Sequence, residues 1–278
     1  MNFDPAIYTR RRARLLEKMQ RGIAILPTAP EVSRNADTHY SYRHDSNFYY
    51  LSGFTEPEAV LVLVAGRGDE SPAQSILFCR DKDMEREIWD GYRVGPDAAQ
   101  AQFGFDAAYS IAQLDEGLAE LMGNQPALFY PFGQDAAWDQ RILKLRSTVQ
   151  AKVRSGIRAP DEIHDVRALL NGMRLFKDAH ELDIMRRAAA ISTAAHQRAM
   201  RYTRPDLFEY QVEAELLHEF CGRGARHPAY TSIVAGGANT CVLHYVGNNA
   251  RLRDGDLLLI DAGCELDSYA SDITRTFP

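Results

Sequence analysis

The sequence has few cysteines and no long apolar run. Its four cysteines are far apart and form no CxxC pair: Cys79, Cys221, Cys241 and Cys264. This spacing favours reduced thiols in the cytoplasm over a disulfide framework, and it offers no paired-cysteine zinc motif. The N-terminal residues contain no apolar signal-peptide core, and no segment approaches the roughly 20 apolar residues of a membrane span. We therefore expect a cytoplasmic protein without a membrane partner.

An excess of positive charge is also missing. The formal net charge is −6 and the isoelectric point is near 5.8, which argues against nucleic acid as a partner. The basic run RRRAR lies within residues 5–20, whose apolar residues have helical spacing, and we interpret it as a solvated helix face. Nothing resembles GxGxxG or a phosphate loop, so nucleotide chemistry is not expected.

Short β-branched and aromatic runs alternate with helical patterns over the first part of the chain. The strand-like runs are GIAILP, SNFYYLSGF, AVLVLVAG, SILFCR and ALFYP. Helical patterns cover residues 114–122 and 134–146. This alternation predicts an α/β domain, to which we assign residues 1–173.

The pattern changes in residues 174–278. A long helix is predicted from Ala179 to Tyr202, with Asp178 as its N-cap, and a second helix from Leu207 to Gly222. Three strand-like segments follow: YTSIVAGG, TCVLHYV and DLLLIDAG. Two helices followed by antiparallel strands are a different topology from that of the first domain.

Two aspartates lie inside strand-like runs in LLLIDAGCELDSYASDITRTFP. A carboxylate in an apolar strand costs several kcal/mol unless it is paired, hydrogen-bonded or bound to a metal. If Asp267 and Ser268 form a two-residue hairpin turn, residues whose numbers add to 535 pair with each other. Asp272 then lies opposite Gly263 and on the same face as Asp261, with backbones about 7–8 Å apart. In this hypothesis the missing side chain of Gly263 leaves room for an ion.

Carboxylate ligands without a cysteine pattern suit Mn²⁺, Mg²⁺ or a carboxylate-rich Zn²⁺ or Co²⁺ site. The spacing also allows Asp261 to cap a turn and Asp272 to be a solvated hairpin residue. His244, in CVLHYVGNN, is predicted to lie in an apolar strand ahead of a turn. It is either a core residue or a donor to an oxyanion or a substrate. Tyr230 and His227, in RHPAYTSI, are weaker candidates.

Several motifs occur in an order that resembles aminopeptidase P, of the creatinase and methionine-aminopeptidase-like ("pita-bread") group. In the second half they are YTSIVAGGANTCVLHYVGNN and GDLLLIDAGCELDSYASDITRTFP; in the first half, YSYRHDSNFYYLSGFTEPEAVLVL and EIWDGYRVGP, and at the junction MRLFKDAHELDIMRRAAAIS. The resemblance implies an α/β N-terminal domain, residues 1–173, followed by an incomplete α+β pita-bread domain, residues 174–278.

The resemblance also implies a metal-dependent hydrolase that removes the N-terminal residue from peptides with proline in second position. In that family two metal ions, usually Mn²⁺, are held by two aspartates, one histidine and two glutamates. Asp261 matches the first aspartate and Asp272 the second, which bridges both ions. His244 matches a histidine that contacts the substrate and stabilises developing charge, and Tyr230 matches another pocket residue. Trp89, in EIWDGYR, is expected to line the substrate approach, across a subunit boundary of a homodimer or homotetramer.

The family's other histidine and its two glutamates are expected downstream of RTFP. The 278 residues are therefore expected to be a fragment with an incomplete metal site and little or no activity. Two alternatives stay open: a prolidase that cleaves Xaa-Pro dipeptides, and a pita-bread binding module without activity. The presence of both Asp261 and Asp272 counts against the binding module and against creatinase, which uses this fold without metal.

Overall fold

A computed structural model describes residues 3–66 and 71–278. The chain divides into two compact units, one ending at Leu175 and the other beginning at Phe176; the boundary that we assigned from sequence lies between residues 173 and 174. Within the described residues, none of the helices has both the length and the apolar character needed to cross a membrane.

The first unit consists of a sheet with helices on both faces. Its helices are α1 (Pro5–Met19), α2 (Ser46–Ser52), α3 (Met84–Asp90), α4 (Pro96–Phe103), α5 (Leu114–Met122), α6 (Ala136–Gln150) and α7 (Val166–Arg174). Its strands are β1 (Ile23–Pro27), β2 (Ser33–Asn35), β3 (Thr38–His39), β4 (Val60–Val64), β5 (Gln74–Cys79), β6 (Ala107–Ser110), β7 (Ala127–Phe129) and β8 (Glu162–His164). The strands β2 and β3 form a separate exposed hairpin.

The main sheet of this unit is mixed, with strand order β6-β5-β4-β1-β7-β8. Strand β4 is antiparallel to β1 and β5, whereas the other neighbouring pairs are parallel. Ile23 and Ile25 pack on one face with residues of α5 and α6, and Ala24 and Leu26 pack on the other with residues of α1, α2 and α7. Because both faces are covered, strands such as β1 are apolar throughout rather than alternating.

The predicted strand SNFYYLSGF was wrong, because residues 46–52 form helix α2. Asp45 caps this helix by accepting hydrogen bonds from the backbone amides of Asn47 and Phe48, both at 2.8 Å. Gly53 ends it in the left-handed conformation, with φ 66°. These two caps and the burial of Phe48 and Leu51 outweigh the strand propensity of the aromatic residues.

The predicted solvated face of α1 was wrong in part. Arg10 and Arg14 are exposed, but Arg11 and Arg12 are buried at 5% and 1% exposure. Arg11 donates to the Tyr50 carbonyl. The basic run is therefore partly a set of internal hydrogen-bond donors.

Arg12 connects the ends of two helices. Its guanidinium donates to the carbonyl of Leu51, at 3.1 Å in the last turn of α2, and to the carbonyls of Phe103 and Gly104 at the end of α4. The last carbonyls of a helix lack partners inside the helix and attract cations. Burial lowers the pKa of Arg12 to about 10.

The second unit packs two helices against short antiparallel strands. Its helices are α8 (Ala179–Tyr202) and α9 (Glu209–Gly222), and its strands are β9 (His227–Pro228), β10 (Ile233–Gly236), β11 (Leu258–Ala262), β12 (Cys264–Leu266), β13 (Tyr269–Ala270) and β14 (Ile273–Phe277). The strands form two sheets, β10-β11-β14 and β13-β12-β9. One hydrophobic cluster joins the helices to the strands, with Ala188, Leu216 and Ile260 among its fully buried members.

The two predicted helices of this unit are confirmed. Asp178 and Glu181 form a reciprocal capping box at the start of α8, with hydrogen bonds of 2.8 and 2.9 Å. The predicted strand TCVLHYV was wrong: a 3₁₀ helix covers Gly237–Cys241 and a turn follows. The apolar side chains of this segment are exposed, so burial does not favour a strand here.

The predicted hairpin register is confirmed. Asp267 and Ser268 form the turn with φ 46° and 69°, and all pairs of β12 with β13 and of β11 with β14 add to 535. The hypothesis that Gly263 leaves room for an ion was wrong. A Cβ at Gly263 would lie 1.7 Å from the Ser271 carbonyl oxygen, so glycine makes room for the backbone of the opposite strand.

Replacing Arg12 tests its role between α2 and α4. We expect Arg12→Ala to lower the free energy of unfolding of the first unit by about 3 kcal/mol, because it removes a buried guanidinium that donates to three helix-end carbonyls. Urea unfolding followed by tryptophan fluorescence measures this, since both tryptophans, Trp89 and Trp138, lie in the first unit. The matched control, Arg10→Ala, removes the same charge from the exposed face and should change this free energy by less than about 0.5 kcal/mol. Equal effects of the two substitutions would contradict the assignment.

Replacing Gly263 tests the backbone contact in the hairpin. We expect Gly263→Ala to destabilise the second unit by more than about 3 kcal/mol, because the added methyl group overlaps the Ser271 backbone. Hydrogen exchange of residues 258–277 measures the loss. Gly222→Ala is the matched control in the same unit, because a Cβ there meets open space. A tolerated Gly263→Ala would show that the two strands can separate at this point.

Candidate metal centre

Asp261 lies in β11, the central strand of its sheet. It pairs with Ile233 of β10 on one side and with Thr274 of β14 on the other. Along β11, Leu258, Ile260 and Ala262 are buried, whereas Asp261 is half-buried. The period of two in a strand therefore places the carboxylate on the face away from the apolar core.

Asp272 directly follows Ser271, which is anchored by a network of buried hydroxyl groups. The Ser271 hydroxyl lies 2.8 Å from the Ser192 hydroxyl of α8, and the Cys264 amide is within 3.1 Å of both. The Ser271 hydroxyl also donates to the Cys264 carbonyl at 3.0 Å. This network fixes the backbone from which Asp272 extends. Its serines were not identified from sequence, because nothing distinguishes them there from surface serines.

Tyr230 joins the two aspartates. The preceding residue is held to the hairpin by a hydrogen bond from the Ala229 amide to the Gly263 carbonyl, at 2.8 Å. The Tyr230 hydroxyl lies 2.6 Å from Oδ1 of Asp261 and 2.9 Å from Oδ1 of Asp272. Of the candidate residues that we singled out from sequence, the structure therefore brings together Tyr230, Asp261 and Asp272.

The proton count of this cluster favours a cation. The Tyr230 hydroxyl carries one proton and can donate to one carboxylate at a time. The other carboxylate oxygen then faces a lone pair at hydrogen-bond distance, and the two carboxylates repel each other. Burial, followed by the hydrogen bonds to Asp261 and Asp272, raises the pKa of Tyr230, so the phenol keeps its proton. A positive ion between the carboxylates would remove the repulsion.

His196 supports the strand from the side of α8. It is 3% exposed, and its Nε2 lies 3.1 Å from the carbonyl oxygen of Ala262, the residue after Asp261. Burial lowers the pKa of His196, so the neutral imidazole can donate its Nε2 proton to this carbonyl. His196 therefore positions the backbone next to Asp261.

His244 does not lie in a strand as predicted. It lies in an exposed turn after the 3₁₀ helix Gly237–Cys241. Among the hydrogen bonds of residues 3–66 and 71–278, none joins His244 to Asp261 or Asp272. Trp89 is in the first unit, on α3, and is 85% exposed.

A buried glutamate that the sequence did not reveal holds the segment around His244. Glu209 is fully buried at the start of α9. It accepts hydrogen bonds from the backbone amides of Gly236 and Ala250, which lie on either side of His244 in the sequence. Its sequence context, an acidic residue in the first turn of a helix, is common and carries no functional signal.

The residues present fit a divalent cation in part. Asp261 and Asp272 supply hard oxygen ligands of the kind that divalent cations prefer. The single proton of the Tyr230 hydroxyl satisfies one of the two carboxylates, so the other lacks a proton or cation as its partner. In the part of the chain that the structure describes, no group of three or more histidine, cysteine, aspartate or glutamate side chains is arranged to hold a metal ion. The described residues thus provide two ligands rather than a complete set.

Two family models match the chain. The model for the aminopeptidase P N-terminal domain matches residues 8–130, and the model for metallopeptidase family M24 matches residues 183–278. Asp261, Asp272, Tyr230 and His244 all fall within the second match.

Curated relatives match along nearly the whole chain. Xaa-Pro aminopeptidase of Escherichia coli K12 is 44% identical over 98% of this chain and 61% of its own length. The Haemophilus influenzae enzyme of the same name is 41% identical over 98% of this chain and 60% of its own length. Human Xaa-Pro aminopeptidase 3 is 33% identical over 90% of this chain and 48% of its own length. The chain thus spans about three fifths, or less, of the length of these relatives.

Solved structures agree with these matches. A variant of Escherichia coli aminopeptidase P in complex with substrate matches with a TM-score of 0.96 and 43% identity, over 100% of this chain and 63% of that chain. Aminopeptidase PepP of Pseudomonas aeruginosa matches with a TM-score of 0.95 and 48% identity, over 99% of this chain and 62% of that chain. The chain is therefore similar to aminopeptidase P along nearly its whole length: its first unit matches the α/β N-terminal domain, and its second has the pita-bread fold of metallopeptidase family M24 over the part that the chain spans.

Proposed function

We propose that these residues are part of a metal-dependent aminopeptidase that releases the N-terminal residue from peptides with proline in second position. The observation that carries the proposal is the pair of carboxylates, Asp261 and Asp272, that share the single proton of Tyr230. The names of the relatives, Xaa-Pro aminopeptidase, support the substrate class. Proline has no amide N–H, so a peptidase for this bond needs a dedicated site.

Asp261 and Asp272 are the residues of this chain that would hold divalent cations. When bound, such ions lower the pKa of a bound water and polarise the scissile carbonyl. Tyr230 orients the two carboxylates through its hydroxyl, and His196 and Ser271 fix the backbones that carry them. We propose Mn²⁺ as the metal, with two ions per complete site; a zinc-substituted form is known for Escherichia coli aminopeptidase P.

His244 is proposed to contact the substrate and to stabilise the charge that develops on the carbonyl oxygen. Its exposure supports this role, because a histidine committed to the core cannot reach a ligand. Tyr230 is the second proposed substrate-side residue. Trp89 is proposed to line the substrate approach.

We propose that the protein forms a homodimer or homotetramer. Residues 84–92, which contain helix α3, expose four large side chains on one short segment: Met84, Ile88, Trp89 and Tyr92, each more than 80% exposed. Exposed apolar clusters of this kind are typical of interaction surfaces. The four cysteines are free, which supports the proposal of a reducing, cytoplasmic compartment.

Metal binding tests the role of the two aspartates. We expect the 278-residue chain to bind Mn²⁺ weakly, and Asp261→Asn or Asp272→Asn to weaken binding at least about 10-fold, because each removes a charged ligand. Isothermal titration calorimetry measures the affinities. Asp254→Asn, at an exposed position, is the charge-matched control and should leave the affinity unchanged. If all three variants bind Mn²⁺ like the unmodified chain, the metal site lies elsewhere.

Peptide hydrolysis tests the substrate class. Because the described residues assemble only two metal ligands, we expect the 278-residue chain to release little N-terminal residue, and only from proline-second peptides in the presence of Mn²⁺. Mass spectrometry measures the released residue and, on the same sample, the intact chain. Rapid hydrolysis by a chain of confirmed mass would show that further ligands act. Cleavage of alanine-second peptides, or cleavage without metal, would refute the proposed specificity, and cleavage of dipeptides only would indicate a prolidase.

A further inference from the structure

Glu209 is a buried anion without a cationic partner among the described residues. Its side chain is 0% exposed, and none of the ion pairs in that part of the chain includes it. A buried carboxylate costs several kcal/mol unless hydrogen bonds satisfy its oxygens. The neighbours that satisfy Glu209 therefore indicate what the residue does.

All four side-chain hydrogen bonds of Glu209 come from one region. Its Oε1 accepts from the Gly236 amide at 2.8 Å and the Asn239 side-chain amide at 3.0 Å. Its Oε2 accepts from the Tyr245 hydroxyl at 2.7 Å and the Ala250 amide at 2.9 Å. The first donor, Gly236, directly precedes residues 237–250, which we name the His244 loop, and the other three lie near the start, in the middle and at the end of this loop.

The His244 loop is not held by burial of its own apolar side chains. Val242, Leu243 and Val246 are 53%, 90% and 53% exposed. Hydrogen bonds hold it instead, and Asn248 adds a second anchor by donating to Glu213 and to the Ser232 carbonyl. The four donors to Glu209 are neutral, and Glu209 lies at the start of α9.

We propose that Glu209 is a positioning residue that fixes the conformation of the His244 loop and so holds His244 in place for the substrate. The proposal rests on the proposed function, which gives His244 its role. Glu209 acts through backbone and side-chain donors on both sides of His244 and touches none of the proposed metal ligands among the hydrogen bonds of the described residues. Its effect should therefore be confined to the loop.

Glu209→Gln tests the proposal with almost no change in side-chain volume. The glutamine keeps one acceptor oxygen and gains an NH₂ group, which in either orientation faces the Gly236 or the Ala250 amide, itself a donor. We expect hydrogen exchange of the His244 loop to accelerate about 10-fold or more, because hydrogen bonds to a charged group are lost. The exchange of residues 258–277 should change less than about threefold.

The NMR signal of the His244 imidazole distinguishes a local change in the loop from general destabilisation, which would not affect this signal alone. In carbon-edited NMR spectra, we expect the His244 ring signal to shift and broaden in Glu209→Gln. The ring signal of His218, exposed on α9, should stay in place and is the internal reference. Tyr245→Phe removes one of the four hydrogen bonds and should give a smaller change of the same kind, which keeps the test decisive if Glu209→Gln fails to fold.

Glu215→Gln is the matched control. It makes the same chemical change on α9, where the carboxylate pairs with Arg198, and should leave the loop and the His244 signal unchanged. An unchanged loop in Glu209→Gln would overturn the proposal. So would uniform loss of protection across the second unit, because it would show a general structural role.

These readings need neither metal nor substrate, so their outcome is separate from that of the proposed function. With Mn²⁺ supplied, Glu209→Gln should leave the Mn²⁺ affinity within about twofold, since the two aspartates are unchanged, while any measurable kcat falls about 10-fold. If Mn²⁺ does not bind to Asp261 and Asp272 yet the loop loosens as expected, the ordering role of Glu209 stands and the proposed function fails. A changed Mn²⁺ affinity in Glu209→Gln would show that Glu209 acts on the metal ligands instead.

Discussion

The close contact between the backbones at Gly263 and Ser271 is the constraint on which the second unit depends. The Ser271 carbonyl occupies the space of a side chain at position 263, so only glycine permits the two strands to meet there. A slip of one residue would send one of the two carboxylates to the opposite face of the hairpin. The position of Tyr230 along the hairpin is tied to the same glycine, because the amide of the preceding residue, Ala229, donates a hydrogen bond to the Gly263 carbonyl. Asp261, Asp272 and the shared hydroxyl thus follow from one register.

The second unit uses buried and half-buried carboxylates in two different ways. Glu209 receives four neutral donors and is fully satisfied, so it is stable without an ion and serves to order the chain. Asp261 and Asp272 share one donor and are left short of positive charge. Carboxylates that lack donors and lie close together bind cations, whereas satisfied ones do not need to. The number of hydrogen bonds to each carboxylate therefore distinguishes Glu209, which orders the chain, from the two aspartates that are proposed to hold a metal.

Local rules predicted the elements whose stabilising contacts are close in sequence. The N-cap of α8 at Asp178 and the two-residue turn at Asp267 could be inferred because each involves residues within a few positions of each other. Two of the errors arose where distant contacts decide. The burial of Arg12 depends on carbonyls 39 and 91 residues away, and the conformation of the segment around His244 depends on Glu209, up to 41 residues away. Spacing along the chain carries no signal for such contacts.

Different interactions hold in place His244 and the two aspartates that are proposed to bind a metal. Asp261 is fixed by backbone ladders on both sides of its strand, which move as a unit. The His244 loop exposes its apolar residues and is fixed mainly by hydrogen bonds of the Glu209 and Asn248 side chains, so its conformation depends on a few side chains rather than on a strand ladder. A metal site requires constant ligand distances, and a histidine that contacts a ligand must likewise be held in place. Strands for the carboxylates and a hydrogen-bonded loop for the histidine meet these two requirements separately.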